Sequence, residues 1–345
     1  MIVLLHFIQK SWVAMNLFHQ YVNHDGTLND MMVRSREILY TGTNGRHVER
    51  FYVSSSESYI FKPLTNDDQK GRERWVYEHV LPALSPIYPQ LLACSDTDAD
   101  GGGEWMVFED LGPLHHLHAD ETLLQAVGLV ARWHALPPGR FAGMPLRGPK
   151  PLIQEMVSEL HTRKPDMLEL GSSLGFSKQQ MQRIYAQLEH LSFSHQLVLS
   201  HGDLHPGNYA LSGERLRVLD WEHAHLNTPL WDVYHLIDMS HPLFPRRMTS
   251  ELRIRMLDTY LEQLELLGIK GDRTAFIQEY GMFAVVFSLW MLLLITSDLQ
   301  RMGTELHRNS DKWSKEQLES QLDATLACLN QCTAMMDGVQ VQPCK

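Results

Sequence analysis

Two carboxylates and an amide carry the chemistry most plainly written in this sequence. Asp203 and Asn208 lie in Leu199-Ser200-His201-Gly202-Asp203-Leu204-His205-Pro206-Gly207-Asn208-Tyr209, and Asp220 lies in Val218-Leu219-Asp220-Trp221-Glu222. A turn at Ser212-Gly213 sends the chain back, so the spacing predicts that Asp220 returns towards the other two. Three hard oxygen donors of this kind suit Mg²⁺, which keeps several of its waters and usually meets a protein together with phosphate.

The elements that must position these groups follow from the apolar pattern. Residues 197–199, 209–211 and 216–219 read as short strands, an island among helices expected at 154–160, 178–191, 232–239, 250–267, 274–299 and 316–336. An earlier part of the chain is different. Residues 38–40, 48–53 and 58–61 are rich in branched and aromatic residues, broken by Gly, Asn and Ser, and predict antiparallel strands. Their first turn, Thr41-Gly42-Thr43-Asn44-Gly45, contains the Asn-Gly pair typical of tight hairpins. Lys62 follows one of these strands and shares a face with Ile60. Residues 72–84 recur at helical spacing, and residues 91–94 and 105–108 predict two more strands. The change of character at 109–113 divides the chain into a small unit, residues 1–110, whose first 30 residues read as a helical extension, and a helical unit, residues 111–345.

Composition narrows the partners. Lys plus Arg number 30 against 41 Asp plus Glu, a net charge of −11. Nucleic acid is disfavoured, because binding it takes basic patches that neutralise phosphates; a cationic small molecule is tolerated. The four cysteines, Cys94, Cys328, Cys332 and Cys344, form no Cys-x-x-Cys pair and read as reduced thiols. Residues 2–8 are apolar but lack the basic start and cleavage site of a signal peptide, and Met15 offers an alternative start. Residues 280–295 are apolar yet shorter than the roughly 20 residues that a bilayer needs, so a core helix is expected there. These features predict a cytoplasmic protein with no membrane partner, as a monomer or homodimer.

The segment His201 to Asn208 resembles the H-G-D-x-x-x-x-N catalytic loop of aminoglycoside phosphotransferases and choline kinases, and Asp220-Trp221-Glu222 resembles the metal-binding segment that follows it. The resemblance implies an α+β, two-lobed protein-kinase-like fold and an enzyme that moves the γ-phosphate of Mg-ATP to a hydroxyl of a small molecule: an aminoglycoside-like antibiotic, a choline-like amino alcohol or a sugar. It implies that Asp203 accepts the hydroxyl proton while Asn208 and Asp220 hold Mg²⁺. It gives Lys62 to the α- and β-phosphates, with an acidic partner on the next helix. Glu73 shares a helix face with Val76, Tyr77 and Val80, whereas Glu78 lines up with Arg74, so Glu73 is the expected partner. It sets Thr43, Asn44 and Gly45 over the phosphates through backbone amides, although the full Gly-rich pattern is absent. Met106 to Leu111 resembles the strand that holds adenine by its backbone, with Glu109 and Leu111 as the contacts. His201 and His205 are expected to shape the loop and Asp232 to brace it.

Glu222 and Asp238 are candidates for attracting a cationic acceptor. The chain ends Val339-Gln340-Val341-Gln342-Pro343-Cys344-Lys345, without the terminal acid that some aminoglycoside phosphotransferases carry. His223 and His225 read as a surface turn, and His134 as a hydrogen-bonded core histidine. Two rival readings compete with this one. Gly202-Asp203-Leu204-His205 also resembles a metallophosphoesterase block, but the companion blocks are missing from the sequence. A non-catalytic, kinase-like binding protein is opposed by the presence of base, metal ligands and lysine together.

Overall fold

The computed structural model describes residues 18–42, 44–95, 103–116, 119–141, 148–190, 193–244, 246, 248–302 and 313–336. By internal contacts the chain forms two compact units, Met1–His116 with Asn208–His223, and Leu117–Gly207 with Ala224–Lys345. The hairpin that carries Asn208 and Asp220 thus belongs to the first unit and Asp203 to the second, a division that a break at 109–113 does not capture.

The first unit is built on β1 (Ser35–Thr41), β2 (His47–Tyr52), β3 (Ser58–Pro63), α1 (Arg72–His79), β4 (Leu91–Cys94) and β5 (Trp105–Glu109). The strands form an antiparallel sheet in the order β1-β2-β3-β5-β4. Alternation gives each strand two faces. One face presents Phe51, Phe61, Trp105 and Val107 to a core that also takes in Leu28 and Ala93. Phe18, Tyr21, Val22 and Val33 pack on it, so residues 18–33 cover this face of the sheet; the expected helix over the first 30 residues falls largely outside the described residues, with a short 3-10 turn at His19–Tyr21. Pro82 restricts α1 to Arg72–His79, followed by a 3-10 turn at Leu81–Ala83, because proline lacks the amide that a continuing helix needs. A second sheet, β6-β8-β9 (Leu114–His115, Tyr209–Ser212, Arg215–Val218), completes the unit.

The second unit contains α2 (Asp120–His134), α3 (Ile153–Thr162), α4 (Lys164–Ser173), α5 (Lys178–Leu188), β7 (Val198–Ser200), β10 (His225–Asn227), α6 (Leu230–Ile237), α7 (Ser250–Leu266), α8 (Arg273–Met302) and α9 (Lys315–Met336). Its core is aromatic: Trp133, Trp231, Tyr260, Phe283 and Phe287 are all buried. By length and composition α8 is apolar enough to cross a membrane, but two thirds of its apolar window (67%) is buried inside the protein, as a core helix requires. Cys328 and Cys332 are buried one turn apart on α9, with their sulfurs 3.8 Å from each other.

Candidate active site

In the first unit β3 pairs Ile60 with Phe108 and Lys62 with Met106, so Lys62 points away from the face that buries Phe61. Its Nζ lies 2.6 Å from Glu73 Oε2, 2.6 Å from Asp220 Oδ1 and 3.7 Å from Glu222 Oε2. Burial by itself would push the ammonium pKa down. The carboxylates of Asp220, Glu73 and Glu222 outweigh it and hold the group well above its ordinary value. Burial raises the Glu73 carboxyl in spite of Lys62. Glu78 instead meets Arg74 at 2.8 Å.

The β8–β9 hairpin sets Asn208 and Asp220 at its open end. Tyr209 is paired with Val218, and the Leu219 amide donates to the Asn208 carbonyl at 2.8 Å. Asp220 has φ 59°, the one non-glycine residue with positive φ among the described residues. That backbone conformation is sparsely populated for a residue with a Cβ. Glu73, Asp220 and Glu222 each place an oxygen within 4.8 Å of the others. Clustered carboxylates of this kind form a donor set that fits a hard divalent ion.

In the second unit Asp203 follows β7, and its loop is fixed by Asp232 at the start of α6. The Asp232 carboxylate accepts from Ser200 Oγ (2.7 Å), the His201 amide (2.7 Å), the Gly202 amide (3.1 Å) and Trp133 Nε1 (3.0 Å), and lies 3.3 Å from His134 Nε2. Burial alone would raise its pKa; the hydrogen bond and charge of His134 and the bond from Ser200 hold it well below the usual carboxylate range. Trp231 Nε1 donates to the Gly202 carbonyl at 2.8 Å from the same helix. Further hydrogen bonds are internal to the loop: the Asp203 amide donates to His201 Nδ1 (3.3 Å) and the Gly207 amide to His205 Nδ1 (3.0 Å). The His205 ring stacks on His241 with centroids 4.3 Å apart. A Cβ at Gly207 would sit 2.7 Å from both His205 Cε1 and Phe244 Cε2, so a larger residue there would have to displace one of these rings.

One contact at Asp203 has no signature in the sequence. Lys150 Nζ lies 2.8 Å from Asp203 Oδ1, and His205 Nε2 is 3.7 Å from Oδ2. Burial would raise the Asp203 carboxyl; Lys150 first, then His205 and His235, hold it far below its ordinary value. Lys150 is separated from Asp203 by 53 residues and sits in Gly148-Pro149-Lys150-Pro151, with no spacing that ties it to the loop.

The other residues expected at the site lie as follows. In the turn after β1, the Gly42 amide donates to the Arg46 carbonyl (2.8 Å) and the Gly45 amide to the Gly42 carbonyl (3.1 Å), so the Gly45 amide is taken within the turn instead of being held out for phosphate. Asn44 Nδ2 is engaged by the Leu64 carbonyl (2.8 Å) and Asp67 (3.0 Å). Thr43 lies outside the described residues. The Glu109 amide donates to the Gln90 carbonyl (3.0 Å), and the Leu111 carbonyl accepts from Ser212 Oγ (2.7 Å). Asp238, offered as an attraction for a cation, is gripped by Arg253 through two 2.7 Å bonds and by Tyr280 at 2.6 Å. It borders a cavity of about 460 Å³ that Arg246, Arg253, Ser320 and Gln331 help line. Glu222 faces Lys62 and has His223 Nε2 at 3.4 Å. His223 and His225 are buried, correcting the surface turn read from the sequence; His225 Nε2 meets Asn227 Nδ2 at 2.9 Å. His134 is a core histidine, with Tyr260 on Nδ1 at 2.8 Å.

The sheet-and-helix architecture is that of a protein-kinase-like fold. Comparison with known proteins agrees. The chain belongs to the phosphotransferase enzyme family, whose model matches residues 43–275. A stretch of 80 residues is 32% identical to the protein LicA of Haemophilus influenzae, covering 23% of this chain and only 28% of LicA. A crystal structure of choline kinase from Cryptosporidium parvum superposes with a TM-score of 0.55 at 14% identity, covering 95% of this chain and 97% of that one. The apoenzyme of a macrolide 2'-phosphotransferase from Brachybacterium faecium gives 0.53 at 16% identity, covering 90% and 97%. The solved structures show the fold, a small antiparallel-sheet N-terminal region and a mostly helical C-terminal region, and the family model shows the phosphotransferase family.

Proposed function

We propose that the chain transfers the γ-phosphoryl group of ATP to a hydroxyl of a small molecule, with Asp203 as the base. The carrying observation is the position of Lys62 Nζ, 2.6 Å from both Glu73 and Asp220, groups that the sequence separates widely. A lysine fixed by one carboxylate from a helix and another from the segment after the catalytic loop is built to orient phosphates. Asn208 and Asp220 would hold Mg²⁺, which when bound neutralises charge on the phosphate oxygens.

The reaction follows from the chain's own groups. The acceptor hydroxyl donates a hydrogen bond to the Asp203 carboxylate, which is ionised at neutral pH. The hydroxyl oxygen forms a bond to Pγ as the bond from Pγ to the β-phosphate bridging oxygen breaks. The hydroxyl proton passes to Asp203, and ADP leaves with the bridging oxygen's electron pair. The transition state is loose, so most of the work is alignment and charge stabilisation. Asp232 serves this by fixing the backbone at Ser200–Gly202.

The test is ATP consumption against aminoglycosides, amino alcohols, sugars and nucleosides, with Asp203→Asn beside the wild type. That variant is expected to lose turnover by about a thousandfold or more while still binding nucleotide. Near-normal turnover would defeat the assignment of the base. Nucleotide binding without transfer to any acceptor would favour the second reading, a kinase-like binding protein.

A further inference from the structure

The catalytic loop supplies no cation of its own from lysine or arginine: between Arg183 and Arg215 the sequence contains neither. Position 205, two after the base, is a histidine whose Nδ1 accepts the Gly207 amide. Yet the Asp203 carboxylate has an ammonium at 2.8 Å, brought from Lys150 in a different part of the same unit.

The loop that brings it is held at both ends. A Cβ at Gly148 would lie 2.7 Å from His225 Cε1 and 3.0 Å from Nε2, so only glycine lets the chain pass this close to the ring. His225 is on β10, paired with Ser200 of β7 immediately before the catalytic loop. On the other side the Leu152 amide donates to Glu155 Oε2 at 2.7 Å, which closes the first turn of α3. Pro149 and Pro151 flank the lysine and restrict the backbone on either side. Lys150 is therefore anchored to the strand pair that launches the base and to a helix start. Its side chain and that of Asp203 are only 17% and 21% exposed.

We propose that Lys150 is a positioning residue for phosphoryl transfer, fixing Asp203 through Oδ1 so that Oδ2 is directed to the acceptor hydroxyl. The ammonium also offsets the repulsion between the carboxylate and the negative phosphoryl group, a task for which proximity in a partly desolvated site matters greatly. His235, buried on α6, registers both charges: after burial, Lys150 lowers its pKa and Asp203 raises it, and the ring is held near a pKa of about 3. His235 is thus neutral at physiological pH, and Lys150 is the cation that serves the base.

This rests on Asp203 being the base, and the experiment separates the two claims. Lys150→Met, Lys150→Arg, Asp203→Asn and the double variant Lys150→Met/Asp203→Asn are compared for kcat, KM for ATP and for the acceptor, nucleotide Kd and thermal midpoint. Lys150→Met is expected to lower kcat by about a hundredfold with nucleotide Kd unchanged. Lys150→Arg, which keeps the charge, is expected to recover at least tenfold of that loss. In the Asp203→Asn background, Lys150→Met is expected to have little further effect, since its action runs through the carboxylate. A loss of equal size with and without Asp203, no recovery by arginine, or wild-type turnover in Lys150→Met would each overturn the role of Lys150 and leave the base assignment standing. Unimpaired turnover in Asp203→Asn defeats the base itself. Should Lys150→Met fold poorly, Lys150→Gln read in the same cycle gives the same decision.

Discussion

Asp232→Asn is the substitution whose consequence the structure specifies most closely. Asp232 is wholly buried, and its Oδ1 accepts from Ser200 Oγ and the Gly202 amide while Oδ2 accepts from Trp133 Nε1 and the His201 amide beside His134 Nε2. Asparagine has the same shape but only one acceptor oxygen. Its amide must displace the cheaper side, Oδ1, where the Ser200 hydroxyl can rotate to accept and the Gly202 amide keeps Ser200 Oγ at 3.1 Å. One donor then faces a donor, worth about 1–3 kcal/mol, and the surviving bonds fall from charge-assisted to neutral, about 1 kcal/mol each. The expected loss is about 3–5 kcal/mol, a large part of an ordinary domain's stability of roughly 5–15 kcal/mol. Urea denaturation at pH 7 measures it. The pH dependence gives an independent check of sign. The folded carboxyl titrates below its unfolded value of 3.8, so its contribution is complete above that value and is lost as the pH falls towards the folded one. The gap between wild type and Asp232→Asn should therefore narrow below about pH 4. A loss under about 1 kcal/mol at neutral pH, or a gap that widens in acid, would refute the reasoning.

Two further outcomes follow from buried groups. His235 is held at a pKa of about 3 against an ordinary 6.5, so the unfolded chain binds a proton that the folded chain refuses. Stability should fall by about 1.4 kcal/mol per pH unit from pH 6.5 down towards 3, and urea melts across that range should show His235→Asn with the shallower slope. Arg253→Met strips a bidentate partner from Asp238 when both side chains are 1% exposed, and should cost about 3–5 kcal/mol in the same assay; a loss below about 1 kcal/mol would mean that Tyr280 and water suffice for the carboxylate.

What could be read from the sequence was local. The pairing of Lys62 with Glu73 is accessible because strand and helix periodicity decide which side chains share a face, and both elements are regular. The reach of Asp220 to Lys62 spans 158 residues; the motif resemblance gave both residues roles at one nucleotide but no direct contact between them. Lys150 was not legible at all, since it sits in an irregular Gly-Pro loop and its contact with Asp203 is made by tertiary packing against His225. The turn after β1 shows how far a local signal reaches. Its Asn-Gly pair correctly signals a hairpin, but hairpin chemistry consumes the Gly45 amide within the turn.

The same distinction governs how charge should be read. A net −11 suggests an attraction for cationic acceptors, yet the carboxylates considered for the site already have partners: Glu222 with Lys62 and His223, Asp238 with Arg253 and Tyr280, and Asp203 with Lys150. A carboxylate that shares its charge with a buried guanidinium presents little net field to a ligand, whereas surface charges are screened within about 8–10 Å at physiological salt. Global acidity therefore sets solubility and long-range encounter, not acceptor choice. Recognition of a cation would need an acid group without such a partner on the acceptor's own path, and neither of the two acids that the sequence nominated for it is one.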